Sequence, residues 1–216
     1  MKDTLEYLYA LRNQGSHFGI ERMSLFAKRI GNPQTEFPVI HVAGTNGKGS
    51  VCAMLDAVYR ENGYKVGLFS SPHLVQLGER IRINGMLTEM EEISSLTSEL
   101  MPVAKEMESE RAGMHPTFFE FMTAMAFLRF RNENVDVAVL ETGLGGRLDS
   151  TNIVNPILSV ITTISYDHCD ILGHEIAVIA AEKGGIVKQG RPVLTGWLPP
   201  VANKVIREIA RKNSSP

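Results

Sequence analysis

The chain has 216 residues, 44% of them hydrophobic and 21% charged, with a formal net charge of −2 at pH 7 and two cysteines. That length suits one well-packed α/β domain, and the balanced charge lacks the basic excess of non-specific nucleic-acid binders, so small-molecule partners and no nucleic acid are expected. The N-terminus shows no apolar leader core, no window approaches the ~18 apolar residues of a membrane span, and Cys52 and Cys169 match no metal or redox spacing; a cytoplasmic protein with reduced thiols is expected.

Two short helical patterns come first, at 2–11 and 21–30. A strand follows at 39–43 and runs into Gly44-Thr45-Asn46-Gly47-Lys48-Gly49-Ser50, after which 48–62 reads as a helix with Val51, Met54, Leu55 and Val58 on one face. Strand, glycine-rich turn and helix in that order are the parts of a polyphosphate grip. Glycines let backbone N–H groups share one concavity, the helix presents the positive end of its dipole, and the lysine adds a mobile charge. The spacing departs from the standard phosphate loop, because Gly49 rather than a hydroxyl residue follows Lys48. An ordinary strand-to-helix turn is the plainer alternative.

A second strand at 65–69 leads to Ser70-Ser71-Pro72-His73, which alone reads equally as a proline turn with a serine cap, and then to a loop bearing Glu79-Arg80-Ile81. Helical patterns at 89–112 and 117–131 precede a third strand, 135–141. This strand closes on Glu141, and Thr142-Gly143-Leu144-Gly145-Gly146-Arg147-Leu148-Asp149 follows. A carboxylate at a strand end beside a phosphate loop suits Mg²⁺, a hard cation that takes oxygen ligands; a solvated glutamate is the alternative. The three glycines after it would let the backbone approach a ligand closely. A fourth strand at 157–163 leads to Asp167-His168-Cys169-Asp170, with Cys169 in a loop. On sequence alone His168 reads as a packed or capping residue, since imidazole prefers softer metals than magnesium. After a helix at 174–183, Lys183 stands before a glycine stop, where its spacing suits a cation at the helix dipole. A strand at 192–195 and a helix at 201–212 complete the pattern.

The alternation predicts an α/β fold with a doubly wound, mainly parallel sheet and a phosphate loop, ligands lying outside the carboxyl ends of the strands. Taken together, these segments resemble folylpolyglutamate synthase/dihydrofolate synthase of the Mur ligase superfamily. The resemblance runs over residues 17–188 and rests on Gly44 to Ser50, Ser71-Pro72-His73-Leu74 with Glu79-Arg80-Ile81, Thr117-Phe118-Phe119-Glu120 with Thr123, Glu141 to Asn152, Asp167-His168, Leu172-Gly173, and Ile179-Ala180 with Glu182-Lys183.

The resemblance implies that Thr45, Asn46, Gly47, Lys48, Gly49 and Ser50 bind ATP. It implies that Ser71, Glu141 and His168 serve Mg²⁺, with Lys183 carbamylated into an anionic metal ligand, which overrides the plainer readings of His168 and Lys183. It implies catalytic roles for Lys48, His168 and Lys183, and pterin contacts from Phe18, Gly19, Ile20, Glu21, Thr117, Phe118, Phe119, Glu120 and Leu148. The expected reaction is ATP-dependent joining of L-glutamate to dihydropteroate or a reduced folate by a monomer. By the same resemblance, residues 1–216 are expected to form an incomplete ATP-binding ligase domain, the C-terminal glutamate-binding domain being absent. A Mur-type cell-wall amino-acid ligase and a non-enzymatic nucleotide-binding protein are the alternatives. The Thr117 to Glu120 segment and Gly49 argue against the first; Glu141 to Asp149 and Lys183 go unexplained by the second.

Overall fold

The computed structural model describes residues 2–12 and 19–216. Helices α1 (Lys2–Arg12) and α2 (Glu21–Arg29) precede strand β1 (Val39–Ala43), which is buried along its whole length. Helix α3 (Lys48–Glu61) and strand β2 (Val66–Phe69) follow, then a short hairpin of β3 (Ile81–Ile83) and β4 (Met86–Leu87). Helices α4 (Met90–Glu110) and α5 (Phe118–Asn132) lead to β5 (Val137–Glu141) and β6 (Leu158–Ile161). The one-turn α6 (Cys169–Leu172), α7 (Ile176–Gly184), β7 (Val193–Thr195) and α8 (Pro200–Lys212) close the described order.

The sheet order is β4-β3-β2-β5-β1-β6-β7. From β2 to β7 every pairing is parallel, and the hairpin adds two antiparallel strands at one edge. The expected doubly wound α/β sheet is therefore present, with β1 the middle one of its five parallel strands. Alternation along β1 sorts the layers: Val39 enters the core formed with α1, α2, α4 and α5, Ala43 joins α7 and α8, and Ile40 and Val42 pack beneath α3. Helix α5 buries nearly every side chain, so it acts as the spine of its layer rather than as an amphipathic cover.

Three expectations change. The hairpin Ile81–Leu87 lies where only a loop was read. Asn84 and Gly85 both have positive φ, 50° and 78°, which matches the right-handed twist of the flanking strands in a two-residue turn. Cys169 opens α6 rather than sitting in a loop. The apolar face assigned to α3 is rotated, since Met54 and Val58 are exposed while Cys52 and Asp56 are buried and Val51, Leu55 and Tyr59 pack on the sheet.

Candidate active site

Strand β1 ends at Gly44, whose φ is +153° and whose missing Cβ would overlap the Thr162 hydroxyl, so no other residue fits this exit. Gly47, at φ +81°, caps α3 with open space around it. The first helical hydrogen bond runs from the Val51 N–H to the Gly47 carbonyl at 3.0 Å. The amides of Gly47, Lys48, Gly49 and Ser50 have no partner among the described residues, and they stand at the positive end of a fourteen-residue helix. Lys48 folds back to donate to the Gly44 carbonyl at 3.0 Å and the Thr45 carbonyl at 3.2 Å. This is an anion cradle with its own counter-charge in place.

The cradle is stitched to the loop after β6. The Thr45 N–H donates to the Thr163 carbonyl at 2.8 Å; its hydroxyl donates to the Ser165 carbonyl and accepts the Ser165 N–H, both at 3.1 Å. The Asn46 N–H reaches the Thr163 hydroxyl, and the Thr162 hydroxyl reaches the Asn46 carbonyl. What Thr45 offers a phosphate is therefore position rather than a free hydroxyl. The same stitched loop carries Asp167 and His168, which are 3.6 Å apart, and His168 sits in the left-handed region at φ 48°.

Glu141 closes β5 with its side chain almost wholly buried. One carboxylate oxygen accepts the Ser71 N–H at 3.1 Å, and both lie 3.7–3.8 Å from where a Cβ on Gly49 would stand. Burial raises its pKa, against the opposing pull of the Ser71 amide and Lys48. A buried, hard oxygen donor touching the start of the cradle is suited to a cation shared with a phosphate. No group of three His, Cys, Asp or Glu side chains converges among the described residues, so Glu141 and its neighbours would need ligand oxygens and water to complete such an ion's shell. Lys183 approaches from below, 2% exposed, and donates to the same Gly44 carbonyl at 3.0 Å. Burial first, and then the Lys48 charge, bring it down to about 8. That leaves a minor neutral fraction at pH 7, about a tenth, and neutral amine is the form that adds CO₂.

The glycine-rich stretch after β5 is built differently. Asp149 is buried; one carboxylate oxygen accepts the Gly143 and Leu144 N–H groups at 2.8 and 2.9 Å, and the other accepts the Thr151 N–H at 3.0 Å and its hydroxyl. Because the one Thr151 proton goes to Asp149, the His41 Nε2–H must donate to the Thr151 oxygen, at 2.8 Å. A Cβ on Gly143 would lie 2.5 Å from the Phe119 ring, and one on Gly146 would lie 2.8 Å from the Glu182 carbonyl, so protein fills both side-chain places, while Gly143 itself lines the adjacent cavity.

A cavity of about 580 Å³ lies between the cradle and the loop after β5; Glu141 and Lys183 are not among its lining residues. Thr45, Lys48, Ser71, Thr117, Phe118, Phe119, Leu148 and His168 line it, as expected of site residues. Arg12, Pro72, Arg80, Gly143, Leu144, Asp149, Ser150 and Asp167 line it as well, and no site role was assigned to them from sequence, although all but Arg12 lay inside the motifs. Asn46, Gly47, Gly49 and Ser50 are exposed along the cradle, with Gly49 and Ser50 in the first turn of α3. Glu120 holds the N-terminus of α5 instead, its carboxylate accepting the Thr117 N–H at 2.8 Å and pairing with Arg22 at 2.6 Å. Gly19, Ile20 and Glu21 are not among the cavity's lining residues, and Glu21 pairs with Arg111 at the surface. Phe18 lies outside the described residues.

Residues 42–213 match the family described as the Mur ligase middle domain. The chain is similar to the dihydrofolate synthase/folylpolyglutamate synthase of Bacillus subtilis strain 168, 42% identical over 216 residues, covering all of this chain and 50% of that protein. It superposes on the crystal structure of folylpolyglutamate synthase from Thermotoga maritima with a TM-score of 0.91 and 42% identity, covering 99% of this chain and 49% of the other. It also superposes on a solved FPGS–AMPPCP–folate complex with a TM-score of 0.93 and 35% identity, covering all of this chain and 52% of the other. The chain thus spans about half the length of the curated relatives it matches.

Proposed function

Because the chain belongs to the Mur ligase family, as its middle domain, we propose that the protein is an ATP-dependent ligase joining L-glutamate to a pteroate or folate carboxylate, as a cytoplasmic monomer acting on small molecules. The observation that carries this reading is the cavity itself. One end is lined by Thr45, Lys48 and Ser71, beside the free amides of the cradle and the Ser71–Glu141 contact; the other is an apolar slot between Phe118, Phe119, Leu144 and Leu148. A nucleotide's phosphates suit the first and a flat aromatic acid suits the second. The names of the relatives and the AMPPCP–folate complex support the same pairing.

In the proposed reaction an oxygen of the acceptor carboxylate attacks the terminal phosphorus of ATP, releasing ADP and leaving an acyl phosphate. The glutamate amine then attacks the acyl carbon, phosphate departs, and an amide and a proton are the other products. The difficulty is bringing two anions together. The amides of Gly47 to Ser50 and the Lys48 ammonium hold the phosphates and offset charge as it develops on the transferred group. Glu141, Ser71 and His168, with a carbamylated Lys183 beside them, would hold Mg²⁺, which supplies positive charge against the phosphates when bound. The Thr45–Ser165 stitching keeps the His168 loop in register with the cradle. The apolar slot orients the acid and excludes water from the reacting carbonyl.

The test is phosphate release and amide formation with dihydropteroate and with tetrahydrofolate as rival acceptors. Release that requires both an acceptor and glutamate is expected. ATP hydrolysis at the same rate without either would overturn the reading.

A further inference from the structure

Arg80 is the one buried guanidinium in the cavity wall, 9% exposed, and its environment is incomplete. Its Nε–H donates to His73 Nδ1 at 2.8 Å, and its guanidinium carbon lies 5.3 Å from the centre of the Phe118 ring. Its two terminal nitrogens, with four N–H donors, find no partner among the described residues, and no described carboxylate lies within ion-pair distance. The undescribed stretch 13–18, Asn-Gln-Gly-Ser-His-Phe, contains no carboxylate either. The neighbouring acids are engaged elsewhere. Glu79 accepts the N–H groups of Leu74, Val75 and Gln76 at 2.7–2.8 Å, and Glu141 accepts the Ser71 amide.

The side chain is mostly buried while its terminal nitrogens open on the cavity, so the charge is partly desolvated without a counter-ion, and a side chain serving only to pack would be cheaper without it. Burial lowers the Arg80 pKa, Arg12 adds to that, and burial together with Arg80 lowers His73, which suits the unprotonated Nδ1 that accepts from Arg80. Everything that fixes the fork's orientation is in place, and its outer edge is left for a planar anion.

Position selects which anion. The Arg80 carbonyl accepts the Ser70 N–H at 3.0 Å, which anchors Arg80 beside the Ser71–Glu141 contact, while the guanidinium covers Phe118 of the aromatic slot. Arg80 therefore stands where the two halves of the cavity meet. We propose that the Arg80 fork, oriented by His73 and Phe118, is the receptor for the acceptor's reacting carboxylate, holding it at the junction between the aromatic slot and the phosphate cradle. This rests on the functional reading above and names the group that aligns its acid substrate.

The test is equilibrium binding of dihydropteroate and of its carboxamide to the intact protein in the presence of AMPPCP, comparing wild type with Arg80→Gln and Arg80→Lys. Wild type is expected to prefer the acid by about 10- to 100-fold, the range of a charge-assisted hydrogen-bonded pair. Arg80→Gln should bring the two ligands to near parity with AMPPCP affinity retained, and Arg80→Lys should keep part of the preference. AMPPCP binding and a cooperative melting transition report that each variant is folded; if Arg80→Gln fails to fold, a preference undiminished in Arg80→Lys overturns the fork's role. An undiminished preference in folded Arg80→Gln overturns it directly. A loss confined to tetrahydrofolate, with dihydropteroate unaffected, would overturn the assignment to the reacting carboxylate. Wild type that binds neither acid nor carboxamide would bring down the functional reading and this proposal together.

Discussion

Two glycine-rich loops lie side by side at the carboxyl ends of paired parallel strands, Gly44–Ser50 after β1 and Thr142–Asp149 after β5, and they use their backbone amides in opposite ways. In the first, four consecutive amides at the start of α3 find no acceptor among the described residues. In the second, the Gly143 and Leu144 amides are already bound by Asp149. The glycines differ to match: Gly47 faces open space, whereas the missing Cβ of Gly143 is replaced by the Phe119 ring. Glycine content thus marks a close approach without saying what approaches. What separates an anion cradle from an internally satisfied wall is whether a nearby carboxylate reaches the amides first.

The comparison breaks most visibly at Lys48. Lys48→Ala is expected to weaken nucleotide binding by roughly 1.5 to 3 kcal/mol and to slow ligation by more than about 100-fold, with the melting temperature little changed. Titration with AMPPCP and steady-state kinetics check it, and wild-type turnover would remove the cradle from the mechanism.

Asp149→Asn should do the reverse. An amide retains one acceptor and points its NH₂ at N–H donors, so stability is expected to fall by about 2 to 4 kcal/mol in denaturant titration, while AMPPCP affinity in the folded fraction holds. A stable Asp149→Asn protein with impaired nucleotide binding would place both loops in one functional class.

The second loop is also tied to β1 through His41, whose pKa burial first, and then Lys188, lower to about 3. A histidine depressed in the folded state contributes stability that is fully present above its ordinary value of about 6.5 and is lost as pH falls from there towards 3, because the unfolded chain takes up the proton first. By pH 5 the loss from this group is about 2 kcal/mol. His41→Asn should flatten that part of the acid limb; an unchanged acid limb would show that His41 protonates without cost.

The smallest effects come from the glycines themselves. Gly47→Ala places a methyl group in the cradle at a left-handed φ, with a folding cost of about 1 kcal/mol and a larger relative loss in AMPPCP affinity. Gly143→Ala presses on Phe119, so a stability loss of about 1 to 3 kcal/mol with weaker acceptor binding and intact AMPPCP binding is expected. The same pattern from both variants would erase the distinction.

The sheet was legible because β1, β2, β5, β6 and β7 are apolar runs closed by chemically distinctive residues, and the phosphate cradle because strand, loop and helix stand in the order its physics requires. The hairpin was passed over because Ile81–Ile83 and Met86–Leu87 are too short for a period to emerge, although Asn84-Gly85 between them is a strong turn signal. The face of α3 was misread because Val51 and Leu55 fit two overlapping stripes, and only contact with the sheet selects the one with Cys52 and Tyr59 over the one with Met54 and Val58. The role of Thr45 depends on the Ser165 backbone, 120 residues away, and the pairing of Glu120 on the Arg22 side chain, 98 residues away, and local spacing carries no trace of either. The Thr117–Glu120 capping box and the Asp149 contacts with Gly143, Leu144 and Thr151 are local and could have been read from the sequence. Arg80 was quoted within a motif yet left without a role, since its meaning lies in the carboxylate that is missing around it.

Amide hydrogen exchange of the protein, read residue by residue with and without AMPPCP, tests the contrast between the loops most directly. Without nucleotide, the Gly143 and Leu144 amides should already exchange slowly while Gly47 to Ser50 exchange freely, and AMPPCP should protect Gly47 to Ser50 alone. Free exchange at Gly143 and Leu144 that slows only when AMPPCP binds would contradict the account.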